Sequence, residues 1–128
     1  LGPSVLVASP IVAGKAPGTA PPAASASLPR LVDLGADRCI PCKRMAPILA
    51  ELKADYAGVV DVQFVDVWQN PDAGRPYRIR LIPTQIFYDR AGRERFRHEG
   101  FFPREEIERV FRDSLGVIPR PARAKKPA

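Results

Sequence analysis

The sequence predicts one α/β domain built on a mixed sheet. Three observations carry that expectation. Short runs rich in β-branched residues alternate with stretches of helical periodicity, a turn sequence pairs the last two strand candidates, and the resulting order is strand, helix, strand, helix, strand, strand, helix. The 128 residues leave room for one domain with tails rather than two.

The first strand is Leu31-Val32-Asp33-Leu34, a buried run interrupted by one acid, and Gly35-Ala36-Asp37-Arg38 breaks it. From Cys39 onward Met45, Ile48, Leu49, Leu52 and Tyr56 recur at helical spacing until Gly58. Pro47 falls inside this helix, where it removes one amide and predicts a kink. Residues 59–67 then read as a strand covered on both faces. Asn70-Pro71 caps a second helix, which Gly74 and Pro76 keep short and poor.

Residues 81–88 form the next strand, Asp89-Arg90-Ala91-Gly92 the turn, and 93–98 the returning partner, with His98 as a partly exposed spacer. Pro103 opens a last helix whose apolar stripe is Ile107, Val110, Phe111 and Leu115. Glu105/Arg109 and Glu108/Arg112 are its expected surface pairs, and Gly116 its stop. Phe101-Phe102 should pack beneath that helix, and Trp68 should be partly buried beside a loop.

Residues 1–28 and 117–128 are read as tails around a domain at 29–116. Residues 14–27 are Gly, Ala, Pro, Thr and Ser apart from Lys15, the composition of a linker, in which Pro21-Pro22 could open a short helix. The apolar start at Leu1 to Ala8 is open to three readings: the stump of a trimmed export signal, an expression scar or a short first strand. Such a start followed by such a linker leans slightly toward export, and the compartment is otherwise undetermined.

The net charge of +6 is a property of the ends. Residues 30–116 carry 15 Lys/Arg against 14 Asp/Glu, while Lys15, Arg120, Arg123, Lys125 and Lys126 supply the remainder. A solvated tail explains this without a nucleic-acid partner. No run approaches the roughly 18 consecutive apolar residues of a membrane span.

Chemistry concentrates at Cys39-Ile40-Pro41-Cys42, a C-x-x-C between a strand and the first turn of a helix. Amides and the positive end of the helix dipole stabilise a thiolate there, and the second sulfur is near enough to attack a disulfide formed by the first. Pro41 restricts the turn between them. Three other readings compete. A structural disulfide across so short a loop would add little stability. Half a zinc site lacks further ligands, because there are two cysteines and one histidine in the chain. Inert buried thiols are the third. The strand-to-helix setting favours redox chemistry.

From about residue 29 to 115 the chain resembles the thioredoxin family. The resemblance rests on Leu31-Val32-Asp33 ahead of the first cysteine, Cys42-Lys43 leading into Met45-Ala46-Pro47-Ile48-Leu49, Asn70-Pro71, Tyr77, Ile79-Arg80-Leu81-Ile82-Pro83-Thr84 and Gly100. It implies a thioredoxin-like fold with a reduced N-terminal strand and helix. It also implies a protein thiol–disulfide oxidoreductase without organic cofactor or metal, a monomer fed electrons by a separate reductase. Cys39 would attack and Cys42 resolve through a mixed disulfide. Asp33 would handle the proton of Cys42. Pro83 would be the family's cis-proline facing the cysteines, although isomer statistics alone favour trans. The Ile82 backbone would pair with the substrate chain, beside Arg38, Ile40 and Pro41.

Departures from the family pattern cluster around the site. Tryptophans are usual where this chain has Gly35 and Arg38, glycine where it has Ile40, and a lysine that pairs with the buried acid where it has Phe64. Arg38, Lys43 and Arg44 should hold the Cys39 thiol below its free pKa of about 8.5. That places the potential between about −270 and −200 mV. Two rival functions are an oxidase or isomerase of exported proteins and a binding module that keeps the fold without the catalysis.

Overall fold

The computed structural model describes residues 28–120. The apolar start at 1–8, one reading of which is a short first strand, the linker with its possible helix, and the part of the basic tail beyond Arg120 lie outside the described residues.

The element order is β1 (Arg30–Gly35), α1 (Ile40–Asp55), β2 (Asp61–Asp66), α2 (Pro71–Gly74) with a 3₁₀ turn at Arg75–Tyr77, β3 (Thr84–Tyr88), β4 (Glu94–Glu99) and α3 (Arg104–Leu115). The four strands form one mixed sheet in the order β2-β1-β3-β4. β1 and β2 are parallel, joined through α1 as a parallel pair requires, and the other two pairings are antiparallel. β1 lies between two partners, and all six of its residues are buried.

Alternation along β1 divides the core. Leu31 packs on one face with Met45, Leu49, Leu52 and Tyr56 of the first helical stretch and Ile107, Val110 and Phe111 of α3. Val32 and Leu34 pack on the other with Ile86, Tyr88 and Tyr77. Phe87 anchors the first cluster, its ring edge-on to Phe96, Phe102 and Phe111. Phe102 is buried and Phe101 half-buried beside it, as the sequence suggested. α1 runs through Pro47 as one helix, and α2 with its 3₁₀ turn is as short as Gly74 and Pro76 imply.

Four expectations need correction. β2 is not covered on both faces: it is an edge among the described strands, it begins at Asp61, and Phe64 is 49% exposed. β3 starts at Thr84 rather than Leu81, because Pro83 has no N–H for the ladder. Thr84 turns its hydroxyl back to donate to the Leu81 carbonyl at 2.7 Å. The ion pairs of α3 are also rearranged. Arg104 turns inward to Asp55 (2.8 Å) and takes Glu108 (2.8 Å), while Arg109 joins Glu106 and Arg112 joins its neighbour Asp113. Trp68 is exposed rather than partly buried.

The Arg104 cluster extends through Glu108 to Tyr56. Tyr56 donates its hydroxyl hydrogen to Glu108 and accepts the Arg120 N–H at 2.8 Å. Burial and the neighbouring carboxylate push the Tyr56 phenol up to about 12. No helix of the described residues is long and apolar enough to cross a membrane.

Candidate active site

The site begins where β1 gives way to α1. Cys39 is the N-cap of α1 in extended backbone. Its sulfur accepts the Cys42 N–H at 3.4 Å. Pro41 occupies the first turn, where its missing N–H costs nothing. Cys39 and Cys42 are joined by a disulfide with their Cα atoms 5.1 Å apart. The two sulfurs differ in access: Cys39 is half-buried, whereas Cys42 is 4% exposed. Arg38 and Ile40 flank Cys39 at the surface. Ile40 is 74% exposed, an apolar side chain presented to solvent beside the reactive pair.

Gly35 explains how Cys42 is accommodated. A Cβ at this position would lie 3.1 Å from Cys42 Sγ and 3.1 Å from the Phe64 ring. Phe64 thus covers the backbone where a larger residue would stand, and Cys42 packs against it. Cys42 and Phe64 line a groove of about 330 Å³ together with Ala36, Ala46, Leu49 and Val62.

Asp33 lies two residues before Gly35, on the face of β1 that carries Cys42. It is fully buried. Gln85 Nε2 donates to its Oδ1 at 2.9 Å, and no described side chain or backbone donor reaches Oδ2. Burial pushes the carboxyl up to about 6, with the Gln85 hydrogen bond opposing the shift. A group poised there can take up and release a proton near neutrality.

Gln85 and His98 are the residues that sequence reasoning missed. His98 is no spacer: its Nδ1 lies 3.0 Å from Gln85 Oε1, and its ring stacks on Phe102 with centroids 3.9 Å apart. An available signal was Gln85 itself, an amide side chain next to the apolar run Ile86-Phe87 in a strand buried along its whole length.

The Ile82–Pro83 peptide is cis. Pro83 is buried, Ile82 is half-buried ahead of the β3 ladder, and the Pro83 carbonyl accepts the Gly100 N–H at 2.7 Å. The cations beside the cysteines, Arg38, Lys43 and Arg44, are all exposed, and the Arg44 guanidinium lies over the Phe101 ring at 4.2 Å. Gln69 Nε2 donates to Asp37 Oδ2 at 2.8 Å, which ties the loop carrying Trp68 to the residues just before Cys39. Among the described residues no three His, Cys, Asp or Glu side chains gather as a metal site.

Comparison with known proteins agrees with this geometry. The sequence model of the thioredoxin family matches residues 23–113. Thioredoxins of Staphylococcus aureus strains Mu50 (ATCC 700699), MW2 and N315 are each 41% identical over 81 residues, covering 63% of this chain and 77% of theirs.

Proposed function

The chain belongs to the thioredoxin family and is a thiol–disulfide oxidoreductase acting on protein disulfides, and from that premise we propose how its residues divide the work. Cys39 is the attacking sulfur and Cys42 the resolving one. The observation that carries this order is the difference in access between the half-buried helix cap and the buried partner.

In the reduced protein the Cys39 thiolate attacks one sulfur of a substrate disulfide. A mixed disulfide forms, and the other substrate sulfur leaves as a thiolate. Cys42 gives its proton to Asp33 and attacks Cys39 Sγ, which releases the second substrate sulfur and forms the disulfide seen here. Asp33 returns the proton to the departing thiolate. Two electrons have passed to the substrate, and a separate reductase restores them. Ile40, Pro41 and Arg38 meet the substrate surface, the Ile82 backbone pairs with its chain beside Pro83, and the protein acts as a monomer.

The Cys42→Ser variant tests the order. Incubated with a reducible protein disulfide, it should accumulate a covalent complex through Cys39, identifiable by peptide mass mapping. Adducts on Cys42 in the Cys39→Ser variant, with none on Cys39 in the other, would reverse the assignment.

A further inference from the structure

The register of the sheet places Phe64, Asp33, Gln85 and His98 opposite one another on β2, β1, β3 and β4. Directly paired residues share a face of the sheet, so these four form one row across all four strands. Its last three members are joined by hydrogen bonds of 2.9 and 3.0 Å. β2 contributes a phenyl ring to the row and no cation.

We propose that Gln85 is the positioning residue of Asp33, held amide-nitrogen-first by His98, so that the row His98–Gln85–Asp33 sets the proton affinity of the buried carboxylate. The proposal rests on the reading of Asp33 as the proton acceptor of Cys42. It adds two residues that the thiol chemistry does not itself require.

The argument is one of donor and acceptor matching. A primary amide has a donating and an accepting end, and only one end can face each neighbour. With Nε2 toward Asp33, Gln85 stabilises the carboxylate and turns Oε1 toward His98, where the ring must donate from Nδ1. With the amide reversed, the carbonyl oxygen would confront the carboxylate and satisfy only the protonated acid. Whatever keeps Nδ1–H pointed at Gln85 therefore favours ionised Asp33, and stacking on Phe102 holds that ring in place.

Among the described residues, the groups that face this row are few. Asp33 faces Phe64 on β2 and Gln85 on β3, with Cys42 over the same face of β1. The helices bring apolar Met45, Leu49, Ile107 and Phe111 to that side of the sheet. His98 faces Gln85 and Phe102, with Glu99 beside it in sequence bonded to Arg80. Burial raises the carboxyl, and the Gln85 amide is what opposes it.

The test is a carboxyl-carbon NMR titration of Asp33 in the disulfide form, in wild type, Gln85→Met and His98→Phe. Neither cysteine titrates in that form, so the result is independent of what Asp33 does in turnover. Failure of the acceptor reading would appear separately, as unchanged turnover in Asp33→Asn. Losing the amide donor should raise the Asp33 midpoint by about one pH unit, a tenfold gain in proton affinity. His98→Phe, which keeps a ring to stack on Phe102, should raise it in the same direction by about half as much, and the wild-type His98 ring should show a protonated Nδ1 by nitrogen shift. An unchanged midpoint in either folded variant overturns the proposal. Should Gln85→Met not fold, the partly exposed His98→Phe decides alone.

Discussion

Gln85 Nε2 donates to Asp33 Oδ1 at 2.9 Å across the antiparallel β1–β3 ladder, between residues 52 positions apart, and it is the only hydrogen bond the described residues offer that carboxyl. One neutral donor is a thin supply for a charge in this position. Buried carboxylates that remain ionised ordinarily collect two or three donors or a cation. Asp33 instead has its carboxyl pushed up to about 6, and the first two predictions follow from that.

The first concerns stability. A carboxyl moved from 3.8 to about 6 binds more protons in the fold than in the unfolded chain between those values. Stability therefore falls as pH rises through that window, and the loss is complete above it. The full shift corresponds to about 3 kcal/mol. Asp33→Asn should be close to wild type at pH 4 and more stable by about 2 kcal/mol at pH 7.5. Urea denaturation of the disulfide form at the two pH values measures this. A wild type at least as stable as the variant at pH 7.5 would mean that the buried charge is compensated.

The second concerns turnover. In the proposed mechanism Asp33 accepts the Cys42 proton only when ionised, so release of the mixed disulfide should accelerate as pH rises through about 6. Asp33→Asn should lose that rise and slow release by about 100-fold, while first attack changes less than about threefold. Stopped-flow kinetics with a fluorescent protein disulfide separates the steps. Equal slowing of both would point to a structural effect of the substitution.

A third prediction tests the exposed apolar groups. Ile40→Ser and Trp68→Ala remove side chains of residues that are 74% and 57% exposed. Stability should therefore move by no more than about 0.5 kcal/mol in either variant. KM for a protein disulfide should rise several-fold with little change in kcat, whereas a small-molecule disulfide should react as before. If KM for the protein is unaffected, substrate chains dock elsewhere.

The fourth lies away from the cysteines. Arg104 and Asp55 are paired with side chains only 11% and 5% exposed. Removing one member leaves a buried charge, so Arg104→Ala should cost about 3 kcal/mol in urea denaturation while the folded protein keeps its rate of disulfide exchange. A loss below about 1 kcal/mol would show that water reaches Asp55 once the arginine is gone.

Local pattern carried most of the fold into view. Cys39, Cys42 and Asp33 were legible because each depends on its neighbours along the chain: a strand ending, a helix beginning, an acid amid apolar residues. The stripe of Met45, Leu49 and Leu52 was legible for the same reason. What escaped depends on pairing between distant segments. His98 acquires its partner through strand register, which no local window contains. The surface pairs of α3 were misassigned because helical spacing offers each charge more than one partner: Glu108 is taken by Arg104, which also reaches Asp55 on α1, and Arg109 by Glu106, three residues before it. β2 read as fully covered because β-branched composition reports strand and not position within the sheet.

The sulfur of Cys39 has a further duty, as the cap of α1, where it accepts the Cys42 N–H. Bonded to its partner, that sulfur is a weak acceptor; reduced and ionised, it brings a full negative charge to the same amide and to the positive end of the helix. Reduction removes the covalent tie between residues 39 and 42 and strengthens the electrostatic one. The first turn of the helix thus stays anchored in either oxidation state, and the backbone need not rearrange each time a pair of electrons arrives or leaves.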